Sequence, residues 1–215
     1  MNKKSHNNEW LLIADGAPLS PQKLRALAEN KQVMVLDGAY LYAKQAGLKI
    51  AILLGDFDTI AKEDLAAARA SGIEIVHAPD QNKTDLEKGL LHLDQLQASQ
   101  IDIAAATGRR LQHELYNLRL LKKYHRNDRS LIVHSAIEII RYYQDTEIQI
   151  TGKIGESIGI FAFPEATVTT SGLKYELTDI ALHFELRNSV VNELAQVTVV
   201  VKIRGSVLII HELSF

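Results

Sequence analysis

The segment Ile50-Ala51-Ile52-Leu53-Leu54-Gly55-Asp56-Phe57-Asp58 is a short apolar run that ends in a glycine and two aspartates. A wholly apolar run of this length is typical of a strand buried on both faces of a sheet. Similar runs alternate with segments of helical period along the first two-thirds of the chain. They are Trp10 to Ala14, Val33 to Leu36, Ile73 to Val76, Ile101 to Ala106 and Leu131 to Val133. This alternation predicts an α/β domain with a mostly parallel sheet and flanking helices.

Two of the intervening segments carry leucines at helical spacing, so that each set shares one apolar face. These sets are Leu86, Leu90 and Leu93, and Leu111, Leu115 and Leu118. In the second segment Arg110, His113 and Asn117 share a polar face opposite the leucines. A solvated helix surface is the commoner explanation of such a polar face, and a binding site is the alternative.

The pattern changes around Tyr143 to Thr146, and no helical period follows between Glu147 and Phe215. Short β-branched stretches separated by glycine turns take its place, as in Val197 to Ile203 and Val207 to Ile210. We therefore expect two domains, an α/β domain over residues 1–145 and an all-β, sandwich-like domain over residues 146–215.

The composition limits the classes of partner. The 24 basic and 26 acidic residues give a net charge of -2, so no overall field attracts nucleic acid or an anionic membrane. The absence of cysteine excludes disulfides and thiolate metal sites and fits a reducing compartment. The polar residues Met1 to Asn8 lack the apolar stretch of an export signal. We expect a cytoplasmic protein.

Several apolar runs end on the same chemistry, a glycine beside an aspartate or a threonine. The pairs are Asp15-Gly16, Asp37-Gly38, Gly55-Asp56 and Thr107-Gly108. Glycine lets the backbone approach a ligand closely, and ligands of open α/β sheets bind beyond the carboxyl ends of the strands. These residues are therefore expected to gather at one edge of the sheet.

The turn Gly55-Asp56-Phe57-Asp58-Thr59 places two carboxylates two residues apart at a predicted strand end. Both can approach one hard cation such as Mg²⁺, which in phosphate enzymes takes one or two carboxylates together with substrate oxygens. The alternative is a loop whose aspartates cap the next helix. The position after a buried strand makes the metal as reasonable an interpretation as the cap.

The segment Asp80 to Lys88 opens an amphipathic helix. Thr84 and Glu87 have the spacing of a capping box, and Asp85 in the first turn complements the helix dipole. Capping leaves Asp80, Gln81 and Lys83 unexplained, and a lysine with free backbone amides at a helix entrance suits phosphate.

Arg109 and Arg110 follow Gly108 at the entrance of the next helix and are reasonable phosphate ligands. Neither a GxxxxGK[ST] loop nor a GxGxxG motif occurs. Gly155-Glu156-Ser157-Ile158-Gly159 matches the GxSxG pattern of serine hydrolases, but the following residues continue as a strand where that elbow needs a helix.

These segments, in this order, resemble those of the thiamine pyrophosphokinase family, which carries a GDFDS-type turn, a DQxxTDLEKAL-type helix start and a GGRxDH-type segment. The corresponding stretches are Gly55 to Thr59, Asp80 to Leu90 and Gly108 to His113. Asp37-Gly38-Ala39 is similar to the family's DGG turn, and Ser171 to Tyr175 is similar to its GLKY-type turn.

The resemblance implies transfer of pyrophosphate from ATP to the hydroxyl of thiamine, with Mg²⁺ as cofactor, AMP as the leaving group and a homodimer whose active site lies at the subunit interface. It implies Asp56, Asp58 and Asp85 as catalytic, metal-binding residues. The remaining implied ligands are, for the nucleotide, Asp37, Gly38, Gln81, Lys83, Thr84, Arg110 and His113, and for thiamine, Ser189 and Asn192.

The chain departs from the family pattern at three positions. Gln112 stands where the family has aspartate, Arg109 replaces a glycine, and Val191 replaces a serine. The departures at Gln112 and Val191 leave two alternatives open, a non-catalytic dimer that senses thiamine diphosphate or a nucleotide, and a related kinase with a different acceptor.

Overall fold

The computed structural model describes residues 8–213, so the polar N-terminal residues 1–7 lie outside the described part. The chain forms two compact units that divide between Ala136 and Ile137. This division comes earlier than the boundary expected after residue 145. The reason is that residues 138–144 form a strand that pairs antiparallel with the last strand of the chain.

The first unit contains a parallel sheet, and each apolar run expected to be a strand overlaps one of its strands. The strands run side by side in the order β6-β5-β1-β2-β3-β4, and every described neighbouring pair is parallel. Their bounds are β1 Glu9–Ile13, β2 Gln32–Leu36, β3 Ile52–Gly55, β4 Glu74–His77, β5 Gln100–Ala104 and β6 Ser130–His134. The expected α/β class is confirmed.

Helices connect these strands. They are α1 Pro21–Ala28, α2 Tyr40–Gln45, α3 Lys62–Ala70, α4 Asp85–Gln95 and α5 Leu111–Lys123. A short 3-10 turn, Asp37–Ala39, directly follows β2. Leu86, Leu90 and Leu93 of α4 are buried, as their spacing predicts.

The prediction that Leu111, Leu115 and Leu118 form a buried apolar face of α5 is wrong. Leu111 is 67% exposed and Leu115 is 61% exposed, whereas Leu120 and Leu121 are buried. The reason is that the first turns of α5 carry residues that line a cleft, and only the last turns pack their leucines inward.

Within its described residues 137–213, the second unit contains strands and connecting turns but no helix. Their bounds are β7 Glu138–Gln144, β8 Glu147–Thr151, β9 Ser157–Ser171, β10 Ile180–His183, β11 Ser189–Glu193 and β12 Thr198–Glu212. The long strands β9 and β12 pair with each other, and the register of this pairing shifts between Gly205 and Val207.

Each long strand has two halves with different partners. The first half of β12 pairs with β8 and the second half with β7, while β9 pairs first with β11 and then with β10. Side chains from both halves of both strands belong to one buried cluster. Examples are Ile158, Val168, Val201 and Ile209. The halves therefore pack face to face, as expected for a sandwich-like domain.

Ser157, at the centre of the GxSxG match, is the first residue of β9, and the strand continues through Gly159. The prediction that this segment does not form a nucleophile elbow is thus confirmed. Among residues 8–213, no helix is both long enough and apolar enough to cross a membrane.

Candidate active site

A cleft of about 690 Å³ lies at the carboxyl edge of the parallel sheet in the first unit. It is lined by the segments that follow β1, β2, β3 and β5 and by the starts of α4 and α5. It contains all the site residues predicted in this unit, namely Asp37, Gly38, Asp56, Asp58, Gln81, Lys83, Thr84, Asp85, Arg110 and His113. Adjacent parallel strands end at the same edge, which brings together residues distant in sequence.

Three carboxylates in the cleft form a compact group. One carboxylate oxygen from each of Asp37, Asp56 and Asp58 lies within 4.8 Å of the others. Asp85, which the sequence assigned to the metal with Asp56 and Asp58, lies outside this group. Asp37, which the family resemblance assigned to the nucleotide, is the third member of the group. Grouped carboxylate oxygens are the ligands that Mg²⁺ prefers.

Asp37 is the buried member of the group, with 7% of its surface exposed. Burial raises the pKa of its carboxyl group, and the negative charges of Asp85 and Asp56 raise it further. Hydrogen bonds from the main-chain N–H groups of Gly38 and Phe57 act in the opposite direction. A cation bound beside Asp37 would relieve this repulsion, so the donor set fits a divalent metal ion.

The turn that carries Asp56 and Asp58 has an unusual backbone. Phe57, between them, has a φ of 63°, in the left-handed region that residues other than glycine rarely occupy. Its N–H donates a 3.0 Å hydrogen bond to Asp37, and its ring stacks on His77 with centroids 6.0 Å apart. These contacts hold the strained turn so that both aspartates reach the cleft.

Polar residues before α4 contact the acidic turn. The side-chain amide of Gln81 donates a 3.0 Å hydrogen bond to Asp56, and this bond is the main cause of the lowered pKa of Asp56. Lys83 forms an ion pair with Asp80, which lowers the pKa of Asp80 to about 2. Because the pKa of Asp56 is lowered as well, both carboxyl groups are ionised near neutral pH.

Lys88 is a cleft residue that the sequence did not single out. Its side chain is 6% exposed, and its ammonium group donates a 2.9 Å hydrogen bond to Asp85. A buried lysine needs an anionic partner, and Asp85 in the preceding turn provides one. The available signal was the spacing of Asp85 and Lys88, which places both on one face of α4.

The capping box predicted at the start of α4 is only half formed. The hydroxyl of Thr84 accepts a hydrogen bond from the N–H of Glu87, as expected. The carboxylate of Glu87 accepts hydrogen bonds from Tyr116 and Lys123 of α5 in place of the return bond to Thr84. Packing of α4 against α5 decides this difference, because it buries the carboxylate beside these donors.

The two arginines before α5 differ in their surroundings. Arg109 donates hydrogen bonds to the main-chain carbonyl and the carboxylate of Asp15, at 3.0 Å and 2.7 Å. Within residues 8–213, the side chain of Arg110 makes no hydrogen bond or ion pair. Asn117 donates to the carbonyl of Ala106, which ties α5 to the loop after β5. Arg110 and the adjacent His113 are thus the cleft side chains of α5 most open to a ligand.

The predicted thiamine ligands lie in the second unit, on β11. Asn192 is 1% exposed and bonds internally, because it accepts from the N–H groups of Tyr175 and Glu193 and donates to the carbonyl of Tyr175. Tyr175 itself is 61% exposed. Asn192 therefore fixes the turn that displays Tyr175. Ser189, at the start of β11, is partly exposed.

Comparison with known proteins identifies the family of this chain. The sequence model of the family described as "Thiamin pyrophosphokinase, catalytic domain" matches residues 24–133, and that described as "Thiamin pyrophosphokinase, vitamin B1 binding domain" matches residues 145–208. The chain is 29% identical to thiamine pyrophosphokinase 1 of Arabidopsis thaliana over 62% of this chain and 54% of that protein. It is 27% identical to thiamin pyrophosphokinase 1 of Caenorhabditis elegans over 76% of this chain and 70% of that protein.

The chain spans little more than half the length of the Arabidopsis relative. Solved structures show the same fold. The thiamine pyrophosphokinase of Bacillus subtilis has a TM-score of 0.85 at 21% identity, over 96% of this chain and all of that chain. The enzyme of Candida albicans has a TM-score of 0.82 at 14% identity, over 96% of this chain and 90% of that chain. Since matches to the family's two domains together run through most of the sequence, the chain belongs to the thiamine pyrophosphokinase family.

Proposed function

We propose that the chain transfers a pyrophosphoryl group from ATP to the hydroxyl of thiamine, giving thiamine diphosphate and AMP. The main support for the proposal is that three carboxylates lie close together in the cleft, those of Asp37, Asp56 and Asp58. The cations Lys83, Lys88 and Arg110 line the same cleft. Phosphoryl transfer asks a protein chiefly for such positioning and charge stabilisation.

Mg²⁺ is the proposed cofactor, and Asp37, Asp56 and Asp58 are its proposed ligands. When bound, it would neutralise negative charge on the phosphate oxygens. The sequence-based set of Asp56, Asp58 and Asp85 differs in one member, and Asp85 is free for a second role. Its carboxylate, 44% exposed and paired with Lys88, is the proposed acceptor for the proton of the attacking hydroxyl.

The cations of the cleft are the proposed phosphate ligands. Arg110 has no competing partner among the described residues, and its guanidinium offers two parallel donors to phosphate oxygens. Lys83 and His113 line the same cleft, and Gln81 keeps Asp56 oriented. Gly38 and Thr84 complete the proposed nucleotide site.

In the proposed step, the thiamine hydroxyl oxygen forms a bond to the β-phosphorus while the bond from that phosphorus to the oxygen bridging the α- and β-phosphates breaks. The hydroxyl proton passes to Asp85, and the bridging oxygen leaves with AMP. Lys88 stabilises the carboxylate of Asp85 before the transfer, and Arg110 stabilises charge on the transferred group.

In the proposal, the first unit binds the nucleotide and the metal ion, and the second unit binds thiamine. Ser189 is the proposed direct contact of thiamine. Asn192 serves the site through Tyr175, since its side chain is buried and engaged with the turn that carries this exposed ring. An exposed tyrosine held in one position is a suitable surface for an aromatic ligand. A cytoplasmic homodimer with the active site at the subunit interface is also part of the proposal.

The test is to incubate the full chain with ATP, Mg²⁺ and thiamine and to quantify thiamine diphosphate and AMP. Equal amounts of the two products are expected, and Asp56→Asn should lower both strongly at the same Mg²⁺ concentration. ADP as the sole nucleotide product would refute the proposed step. Binding of ATP and thiamine without any turnover would identify the non-catalytic sensor, and turnover only with another hydroxymethyl heterocycle would identify a related kinase.

A further inference from the structure

Glu87 is a buried carboxylate two residues after Asp85, and it plays no direct part in the proposed reaction. Only 1% of its surface is exposed. Its oxygens accept hydrogen bonds from the hydroxyl of Tyr116 and the ammonium group of Lys123, both on α5. The carboxylate therefore links the first turn of α4 to the neighbouring helix.

Donors and cations on α5 stabilise the charge of Glu87. Burial acts to raise the pKa of Glu87, but the hydrogen bonds from Lys123 and Tyr116 outweigh it and hold the pKa below the usual value. Arg119 adds a favourable charge, and its guanidinium lies 4.0 Å from the centre of the Tyr116 ring. A buried carboxylate without these donors would be strongly unfavourable, so the pairing constrains where α5 lies.

The start of α5 carries two residues of the proposed nucleotide site whose side chains have no hydrogen-bond or ion-pair partner within residues 8–213. Arg110 and His113 line the cleft from the start of α5. Two hydrogen bonds tie this end of α5 to the loop after β5, from Gly108 N–H to Glu114 and from Asn117 to Ala106. These bonds fix α5 relative to the sheet edge. Glu87 adds the attachment to α4, the helix that begins with Asp85.

We propose that Glu87 is a positioning residue that fixes α5 against α4 and so holds Arg110 at a set distance from the carboxylates of the cleft. This inference rests on the proposed function, because it assigns Arg110 to the phosphates of ATP. It also explains why Glu87 gives up the return bond of the capping box.

The experiment measures binding of a non-hydrolysable ATP analogue with Mg²⁺ to the full chain by titration calorimetry, which requires no turnover. Lys123→Met removes the charged partner of Glu87 at a position that is half exposed, and should therefore leave the fold intact. The affinity should fall between about threefold and tenfold. Lys123→Arg should restore it, since it keeps a cation within reach.

A double-mutant cycle separates positioning from general loosening. Arg110→Ala should lower the affinity for the analogue strongly in the wild-type chain and much less in the Lys123→Met chain. The reason is that a displaced Arg110 already contributes less to binding. Asp94→Asn is the matched control. Asp94 pairs with Arg129 at the other end of α4, away from the cleft. The effects of Asp94→Asn and Arg110→Ala on the affinity for the analogue should be independent, so that the fold-change of the double variant is the product of the two single ones.

Each outcome decides one question. Full affinity in Lys123→Met, or independent effects of Lys123→Met and Arg110→Ala, would overturn the role of Glu87 and leave the proposed reaction standing. The role of Glu87 would also be overturned if Asp94→Asn reduced the effect of Arg110→Ala as much as Lys123→Met does. Any loosening of α4 would then explain the loss of affinity. Analogue binding with the expected cycle but no thiamine diphosphate formation would refute the reaction alone. A wild-type chain that does not bind the analogue would contradict both.

Discussion

The main-chain N–H of Phe57 donates a 3.0 Å hydrogen bond to the carboxylate of Asp37, which joins the end of β3 to the end of β2. Since Phe57 stands between Asp56 and Asp58, this bond fixes the position of the acidic turn relative to the buried carboxylate. The close approach depends on Gly55, because a Cβ atom there would lie 2.6 Å from the carboxylate carbon of Asp37.

Gly55→Ala should therefore displace Asp37 and the acidic turn together. We expect thiamine diphosphate formation to fall at least about a hundredfold, with a loss of about 1–3 kcal/mol in the free energy of unfolding from overpacking. Gly89→Ala in α4 is the control, because the atoms nearest to its added methyl group are the ends of leucine side chains, at 3.1 Å and beyond. Normal activity in Gly55→Ala would contradict the described geometry.

The Mg²⁺ dependence of activity separates the two possible metal sets. Asp37→Asn and Asp56→Asn should each raise the Mg²⁺ concentration needed for half-maximal rate at least about tenfold, because each removes a charged ligand. Asp85→Asn should lower kcat while leaving this concentration nearly unchanged. If Asp85→Asn instead shifts the Mg²⁺ dependence and Asp37→Asn does not, the sequence-based set of Asp56, Asp58 and Asp85 is the correct one.

A buried ionic cluster on the first unit should govern its stability in acid. Asp102 is 2% exposed, and although burial acts to raise its pKa, hydrogen bonds from His134, Gln100 and Lys31 lower the pKa to about 2. A carboxyl group whose pKa is lower in the folded than in the unfolded chain stabilises the fold at higher pH. This contribution is present above about pH 4 and is lost as the pH falls toward 2.

We therefore expect Asp102→Asn to destabilise the chain at pH 6 by at least about 2 kcal/mol, and this difference from wild type to shrink as the pH falls toward 2. Urea unfolding at a series of pH values measures it. The exposed Asp128, paired with Arg126, provides the control, since Asp128→Asn should change stability little at any pH. A difference for Asp102→Asn that does not vary with pH would exclude the ionic cause.

The leucines at the start of α5 should tolerate charge. Leu111→Lys and Leu115→Lys are each expected to change the free energy of unfolding by no more than about 0.5 kcal/mol, because both side chains are largely exposed. Leu120→Ala, in the buried part of the same helix, should cost about 2–5 kcal/mol. Losses of stability at Leu111 and Leu115 as large as that at Leu120 would support the apolar face that the sequence predicted.

Asn192→Ala tests the indirect role of this residue. Without the amide, the N–H and C=O of Tyr175 lose their partner, so the second unit should lose about 1–3 kcal/mol of stability. The KM for thiamine should rise while the KM for ATP stays constant. Asn188, which braces a different turn through Ala162 and His183, provides the matched variant Asn188→Ala. An equal rise in thiamine KM for both variants would remove the special role of the Tyr175 turn.

Much of the fold was readable from local patterns. The apolar runs located the strands of the first unit because residues buried on both faces of a sheet leave a continuous signal. The change of pattern near Tyr143 marked the second unit but missed β7. Residues Glu138–Gln144 form this strand by pairing with β12, and that contact with residues far along the chain leaves no local signal.

The sequence by itself determined that aspartates, a capped helix start and two arginines meet at the carboxyl edge of a parallel sheet. These features follow from strand order, capping and glycine turns, which act over a few residues. Only the tertiary structure decided that Asp37 rather than Asp85 joins Asp56 and Asp58, that Lys88 is buried against Asp85, and that Glu87 turns toward α5. The physical reason is that distances between side chains on different elements depend on how those elements pack, and spacing along one element carries no record of that packing.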